Sequence, residues 1–269
     1  MIFGKLLGAL FGFAWFGFLG LLLGVYLGHQ FDKALRKNFA TPDANQQAKT
    51  QAAFFRATFV MMGYLAKADG QVSKEEIKWA EYVMGRMNLS ADMRRSAIDY
   101  FNQGKNAELD LEQELQLFKN AVGRHATVLQ MFLEIQIQAA YADDEVSAAE
   151  MALLQQACAH LGISNLRFEV IHQRIKAERA FAQGQYQQRG GGSAAQTGRD
   201  QLREAYSVLG VEPDASDQEV KRAYRRLMSQ HHPDKLVAKG LPEEMMKIAK
   251  EKTQEIQAAY ETVKTHRKQ

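Results

Sequence analysis

The stretch His231-His232-Pro233-Asp234-Lys235 decides how this chain is read. Upstream of it, Ser216 with Glu219 three residues later forms a capping-box pattern, and Val220, Tyr224, Leu227 and Met228 recur at helical spacing. The sequence therefore predicts a helix from Ser216 to Gln230. Its opposite face carries Lys221, Arg222, Arg225 and Arg226 as a compact cationic patch. Pro233 ends the helix, because the residue before a proline is pushed out of the α region. A second amphipathic run spans Glu243 to Thr265, with Met246, Ile248, Ala249, Ile256, Ala259, Tyr260 and Val263. Two helices with apolar faces and a short rigid connection make an antiparallel hairpin with the connection at its tip.

Four motifs in this region resemble a DnaJ-type J domain: Tyr206-Ser-Val-Leu-Gly-Val211, Glu219-Val-Lys-Arg-Ala-Tyr-Arg-Arg-Leu227, His232-Pro233-Asp234 and Glu255-Ile-Gln-Ala-Ala-Tyr-Glu261. The likeness covers residues 200–265. It departs at Glu204-Ala205, where many J domains place an acidic residue and a second aromatic. The resemblance implies a co-chaperone that binds a DnaK-type heat-shock chaperone and stimulates its ATP hydrolysis. It assigns the activating contact to His232, Pro233 and Asp234, and docking on an acidic partner surface to Lys221, Arg222, Arg225 and Arg226. Cationic residues speed and orient such an encounter, while a rigid turn supplies the specific contact. Nucleic acid is not the expected partner, since carboxylates nearly balance Lys and Arg over residues 200–269.

Outward from the hairpin, the tract Gln183 to Arg199 (QGQYQQRGGGSAAQTGR) is rich in Gly, Gln and Ser and nearly devoid of apolar residues. It reads as a flexible linker with a root-mean-square span of roughly 20–25 Å, leaving the hairpin tethered but free to reorient. From residue 50 to 181 the pattern is helical throughout, with starts expected near Thr50, Ser73, Ser90, Asp110, Thr127, Ser147 and Ser164. An internal repeat relates Tyr64–Glu76 to Ala139–Glu150, with Asp69, Val72, Ser73 and Glu76 matching Asp143, Val146, Ser147 and Glu150 at an offset of 74. Each copy is a helix, an acidic turn, and a second helix opened by Ser with Glu three residues on. This arrangement resembles the TerB-like domain of tellurite-resistance proteins. The acidic turns admit two readings: plain helix capping, or a metal site involving Asp69, Asp143 and Asp144, although the spacing is not that of an EF-hand.

At the amino end, residues 6–28 contain no Asp, Glu, Lys or Arg. As a helix this run is ~35 Å long, enough to cross a hydrocarbon core. A cleavable signal peptide is the competing reading, but only Lys5 precedes the run and no small-x-small site follows it. A retained single-pass anchor is therefore expected, with Lys33, Arg36 and Lys37 placing the carboxyl side in the cytoplasm; the resemblance to DnaJ-like co-chaperones implies a bacterial inner membrane with the amino terminus in the periplasm. Gly4, Gly8 and Gly12, then Gly20, Gly24 and Gly28, repeat every fourth residue. Such a stripe suits close helix pairing in lipid, and a homodimer through Gly20, Gly24 and Gly28 is expected, against the alternative of ordinary membrane-helix composition. A polar connector, Thr41 to Lys49, follows.

The net charge of +3 is too small to imply a polyanion partner, and Cys158 stands alone, which excludes a disulfide framework and a Cys-based zinc site. No phosphate loop and no catalytic triad spacing occurs, so neither an enzyme nor a cofactor is expected. The sequence thus predicts an all-α chain: anchor over 1–31, TerB-like domain over 50–181, linker over 182–199 and J domain over 200–269. The combination resembles membrane-anchored DnaJ-like co-chaperones. A membrane-tethered metal- or stress-sensing scaffold acting through the middle domain is the alternative.

Overall fold

The computed structural model describes residues 44–268 except 69, 71–73, 88, 107, 143–144 and 190–193. Among the described residues every regular element is helical. The expected anchor, its glycine stripe and the acidic residues Asp69, Asp143 and Asp144 lie outside the described residues.

The first described helix, α1 (Ala44–Leu65), carries an apolar run into the core of the middle domain. Phe54 and Phe59 are fully enclosed, and Phe54 meets Phe118 and Phe132 edge-on at centroid distances of 5.8 and 6.2 Å. Those partners sit on α4 (Leu111–Val122) and α5 (Ala126–Ala140). Around them pack α2 (Lys74–Arg86), α3 (Ala91–Gly104), α6 (Ala148–Leu161) and α7 (Asn165–Arg189). Side-chain caps start four of these helices where the sequence places them: Ser90 accepts from the Met93 amide, Asp110 from Gln113, Ser147 from Glu150, and Ser164 from Arg167. In the second repeat the full capping box forms, with Glu150 Oε2 accepting from the Ser147 amide at 2.8 Å. Its counterpart Ser73 lies outside the described residues.

Helices α1 and α3 cross at unusually close range. A Cβ on Gly63 would lie 2.0 Å from the Phe101 carbonyl oxygen, and one on Gly104 would lie 2.0 Å from that of Val60. Glycine at both positions lets the two backbones touch, which no other residue permits.

The carboxyl-terminal helices are α8 (Ala194–Leu209), α9 (Asp217–His231), the short α10 (Pro233–Val237) and α11 (Met246–His266), the last preceded by a 3₁₀ turn over Glu243–Met245. Val208, Leu209, Val220, Leu227, Ile256, Ala259 and Val263 form their shared core, and Tyr224 stacks on Tyr260 at 4.2 Å. Ala205 is fully buried, so the small residue at the departure noted in the sequence still packs inward. Arg267 closes the unit, its Nε donating to Tyr206 Oη at 2.8 Å and its Nη1 to Asp217 at 2.6 Å.

Two expectations are corrected. The first helix begins at Ala44 rather than Thr50, so most of the expected polar connector is helical. Its glutamines are used: Gln46 Nε2 reaches the Ala121 carbonyl at 3.4 Å, and Gln47 Nε2 the Val237 carbonyl at 3.1 Å. The second correction concerns the expected linker. Residues 183–189 continue α7 and 194–199 open α8. Adding residues to an existing helix costs far less than nucleating one, so polar tracts extend from packed neighbours. Ala177 and Phe181 of α7 also join the core beneath α8, α9 and α11, and Leu236, Leu241, Met245 and Ala249 join the core of the middle domain. The hairpin is therefore docked on the middle domain rather than free to reorient.

Candidate functional site

The Ser216–Glu219 box starts α9 as the sequence predicts: Ser216 Oγ accepts from the Glu219 amide at 3.3 Å, and Glu219 Oε2 accepts from the Ser216 amide at 2.8 Å. The Ser216 hydroxyl also donates to Glu219 Oε2 at 2.7 Å, and this bond, with that from the Ser216 amide, holds the Glu219 carboxyl below the usual carboxylate range. One face of α9 buries Val220, Ala223 and Leu227. On the opposite face Lys221, Arg222, Arg225 and Arg226 are all exposed. Aligning four cations on a solvated surface avoids desolvation and leaves their field available to a partner.

At His232 the backbone turns out of the helix, with φ −61° and ψ 122°. Pro233 then opens α10 at its first position, where the missing amide hydrogen and fixed φ are no disadvantage. The Leu236 amide donates to the His232 carbonyl at 3.0 Å, and the Leu236 side chain is buried. The result is a rigid corner: His232 and Asp234 are exposed, Pro233 is half-buried, and Leu236 is the peg beneath them. The seven residues singled out in the sequence thus share one accessible region formed by α9 and the start of α10.

The sequence assigns no partner to His231. This side chain is 2% exposed. Its Nδ1 lies 2.9 Å from the Leu227 carbonyl oxygen, and its Nε2 lies 3.0 Å from both carboxylate oxygens of Glu134 on α5. Glu134 also pairs with Arg174 of α7 and accepts from Gln130 Nε2 at 2.9 Å. Beside this group, Glu178 of α7 pairs with Lys252 of α11. Burial alone would push the Glu134 carboxyl up, but His231, Arg174 and Lys252 outweigh it and hold the group well below the usual carboxylate range. For Lys252 burial opposes the charge, yet Glu178 and Glu134 raise the ammonium above its ordinary value. Both shifts keep the network charged, as buried ions must be when paired. A further pair at the seam joins Arg86 Nε of α2 to Glu251 Oε2 of α11 at 3.0 Å.

A sequence signal for this network existed. His231 falls four residues beyond Leu227 on the apolar stripe of α9, and Lys252 lies between Ala249 and Ile256 on that of α11. A polar or charged residue on a core stripe announces a buried partner, though it does not say which.

Residues 204–269, which carry the exposed imidazole and carboxylate beside the cationic face, match the DnaJ domain family. Residues 55–173 match the family of tellurite resistance protein TerB, and residues 1–38 the transmembrane domain of co-chaperone DjlA. By class this is a membrane-anchored J-domain co-chaperone. Curated relatives agree over nearly the whole chain. The co-chaperone protein DjlA of Vibrio cholerae is 46% identical over 98% of this chain and 97% of its own length. That of Photobacterium profundum is 48% identical over 97% of each, and that of Escherichia coli K12 is 45% identical over 92% and 91%. No solved structure matches the chain. The chain belongs to the DjlA co-chaperone family.

Proposed function

We propose that the chain binds a DnaK-type heat-shock chaperone and stimulates its ATP hydrolysis through His232, Pro233 and Asp234. One observation carries the reading: the turn stands exposed at a rigid corner with four solvated cations on the helix leading into it. Lys221, Arg222, Arg225 and Arg226 steer and orient an acidic chaperone surface, and the turn makes the contact that triggers hydrolysis. The chain itself turns over no substrate; it accelerates its partner's reaction.

The amino-terminal segment anchors the chain in a bacterial inner membrane with the helical domains in the cytoplasm. Lys33, Arg36 and Lys37 support that orientation, since cations flanking a span stay on the cytoplasmic side. Gly20, Gly24 and Gly28 support pairing of two copies through their spans.

The deciding experiment is His232→Gln in the full chain. Because His232 is exposed, the circular dichroism spectrum should stay unchanged while stimulation of a DnaK-type ATPase is lost. Wild-type stimulation by this variant would remove His232 from the role.

A further inference from the structure

We infer that Glu134, in the TerB-like domain, is a positioning residue for the His-Pro-Asp turn, acting through His231. The functional consequence rests on the proposed stimulation of a DnaK-type chaperone.

The middle domain grips the turn on both flanks. Before it, His231 is held by Glu134. After it, Leu236 and Leu241 are buried in the core of the middle domain, and three side-chain bonds hold the segment 237–241 to that domain. Gln47 Nε2 donates to the Val237 carbonyl at 3.1 Å, Gln51 Nε2 to that of Leu241 at 3.3 Å, and Lys239 Nζ to Thr127 Oγ1 at 3.2 Å. Between the flanks His232 and Asp234 remain exposed, as do the four cations of α9. Docking therefore fixes the turn without covering it.

Glu134 is the specific part of this grip. Both ring nitrogens of His231 face acceptors, the Leu227 carbonyl on one side and the Glu134 carboxylate on the other. A neutral imidazole has one donor and cannot satisfy both; the imidazolium can. The charged groups that act on His231 are Glu134 from α5 and Glu255 from α11, and beside Glu134 stand Arg174 from α7 and Lys252 from α11, both paired with Glu178 of α7. An apolar seam of the same area would hold at least as well, but it would tolerate sliding and rotation. A buried ionic contact is satisfied in one orientation only, which is its best-attested use. Here that orientation sets where α9 ends and so where His232 points. A turn ordered beforehand loses less entropy when the chaperone engages it.

The test uses the full chain in detergent, with stimulation of a DnaK-type ATPase measured against co-chaperone concentration and amide exchange followed over residues 232–242. Glu134→Gln should raise the half-saturating concentration about fivefold or more, within the ordinary range of coupling between sites. Maximal stimulation should be retained, and exchange over 232–242 should quicken. His231→Gln should do the same from the other side, and the double variant should be no worse than either single one. Glu134→Asp, which keeps the charge, should recover at least part of the loss. Unchanged or increased stimulation by both Gln variants overturns the inference, as does simple additivity in the double. Should Glu134→Gln lose its helical spectrum, His231→Gln alone decides. A wild-type chain that gives no stimulation refutes the proposed function instead, and the exchange arm then judges the coupling: unaltered exchange in Glu134→Gln ends it.

Discussion

Gly240, in the turn after α10, lies so close to Thr50 on α1 that a Cβ placed on it would come within 2.3 Å of the Thr50 methyl carbon. Its φ of +104° is also one that side-chain-bearing residues rarely adopt. The J domain and the TerB-like domain thus meet flush at this point, and the sequence separation of the two residues hides it.

Gly240→Ala should therefore loosen the seam, at a cost of about 1–3 kcal/mol from backbone strain and overlap together. Thr50→Ser keeps the hydroxyl that bonds the Ala121 carbonyl at 2.7 Å and removes the methyl. Added to Gly240→Ala, it should recover part of the loss, because it relieves overlap but not φ. Denaturant midpoints of the three variants check this; no recovery would leave strain as the whole effect.

Acid should weaken the docked arrangement through Glu134. Its folded-state carboxyl sits below the ordinary range because His231, Arg174 and Lys252 outweigh burial. A depressed folded value means the stabilisation is complete above the unfolded value, near pH ~4.3. It is lost as pH falls through the folded value. The stability difference between wild type and Glu134→Gln should accordingly shrink as pH is lowered from 6 to 3, followed by urea unfolding. A difference that stays constant over that range would mean the Glu134 carboxyl is not depressed in the fold, and one that grows would mean it is protonated there.

Reversal of Arg222 and Arg226 to Glu should slow association with the chaperone while leaving the hairpin folded, since both side chains are solvated. Raised salt should slow the wild type in the same sense, because exposed charges are screened over about 8–10 Å. Stopped-flow association rates measure both, and rates indifferent to salt would make these residues plain surface.

In the anchor, Gly24→Leu should reduce self-association of the full chain in a bilayer, while insertion survives because the span stays apolar. Phe16→Ala extends the small-residue series and should preserve or strengthen pairing. If both variants associate as the wild type does, the glycines are ordinary membrane-helix composition.

Sequence alone determined the helical class, the matched families' order along the chain, the caps at Ser90, Asp110, Ser147 and Ser216, and the surface made by Lys221, Arg222, Arg225, Arg226 and the His-Pro-Asp turn. All of these depend on neighbours a few residues apart. Capping boxes, proline stops and apolar stripes are local physics, written in consecutive residues. Tertiary structure alone decided that Glu134 faces His231, that Glu178 faces Lys252, that Gly240 rests on Thr50, and that the Gly/Gln-rich tract is helical at both ends. Those facts depend on partners brought together by the packing of Phe181 under α8 and of Leu236 and Leu241 in the core of the middle domain. A stripe position occupied by His or Lys tells the reader that a buried partner exists, but only the fold chooses which carboxylate it meets.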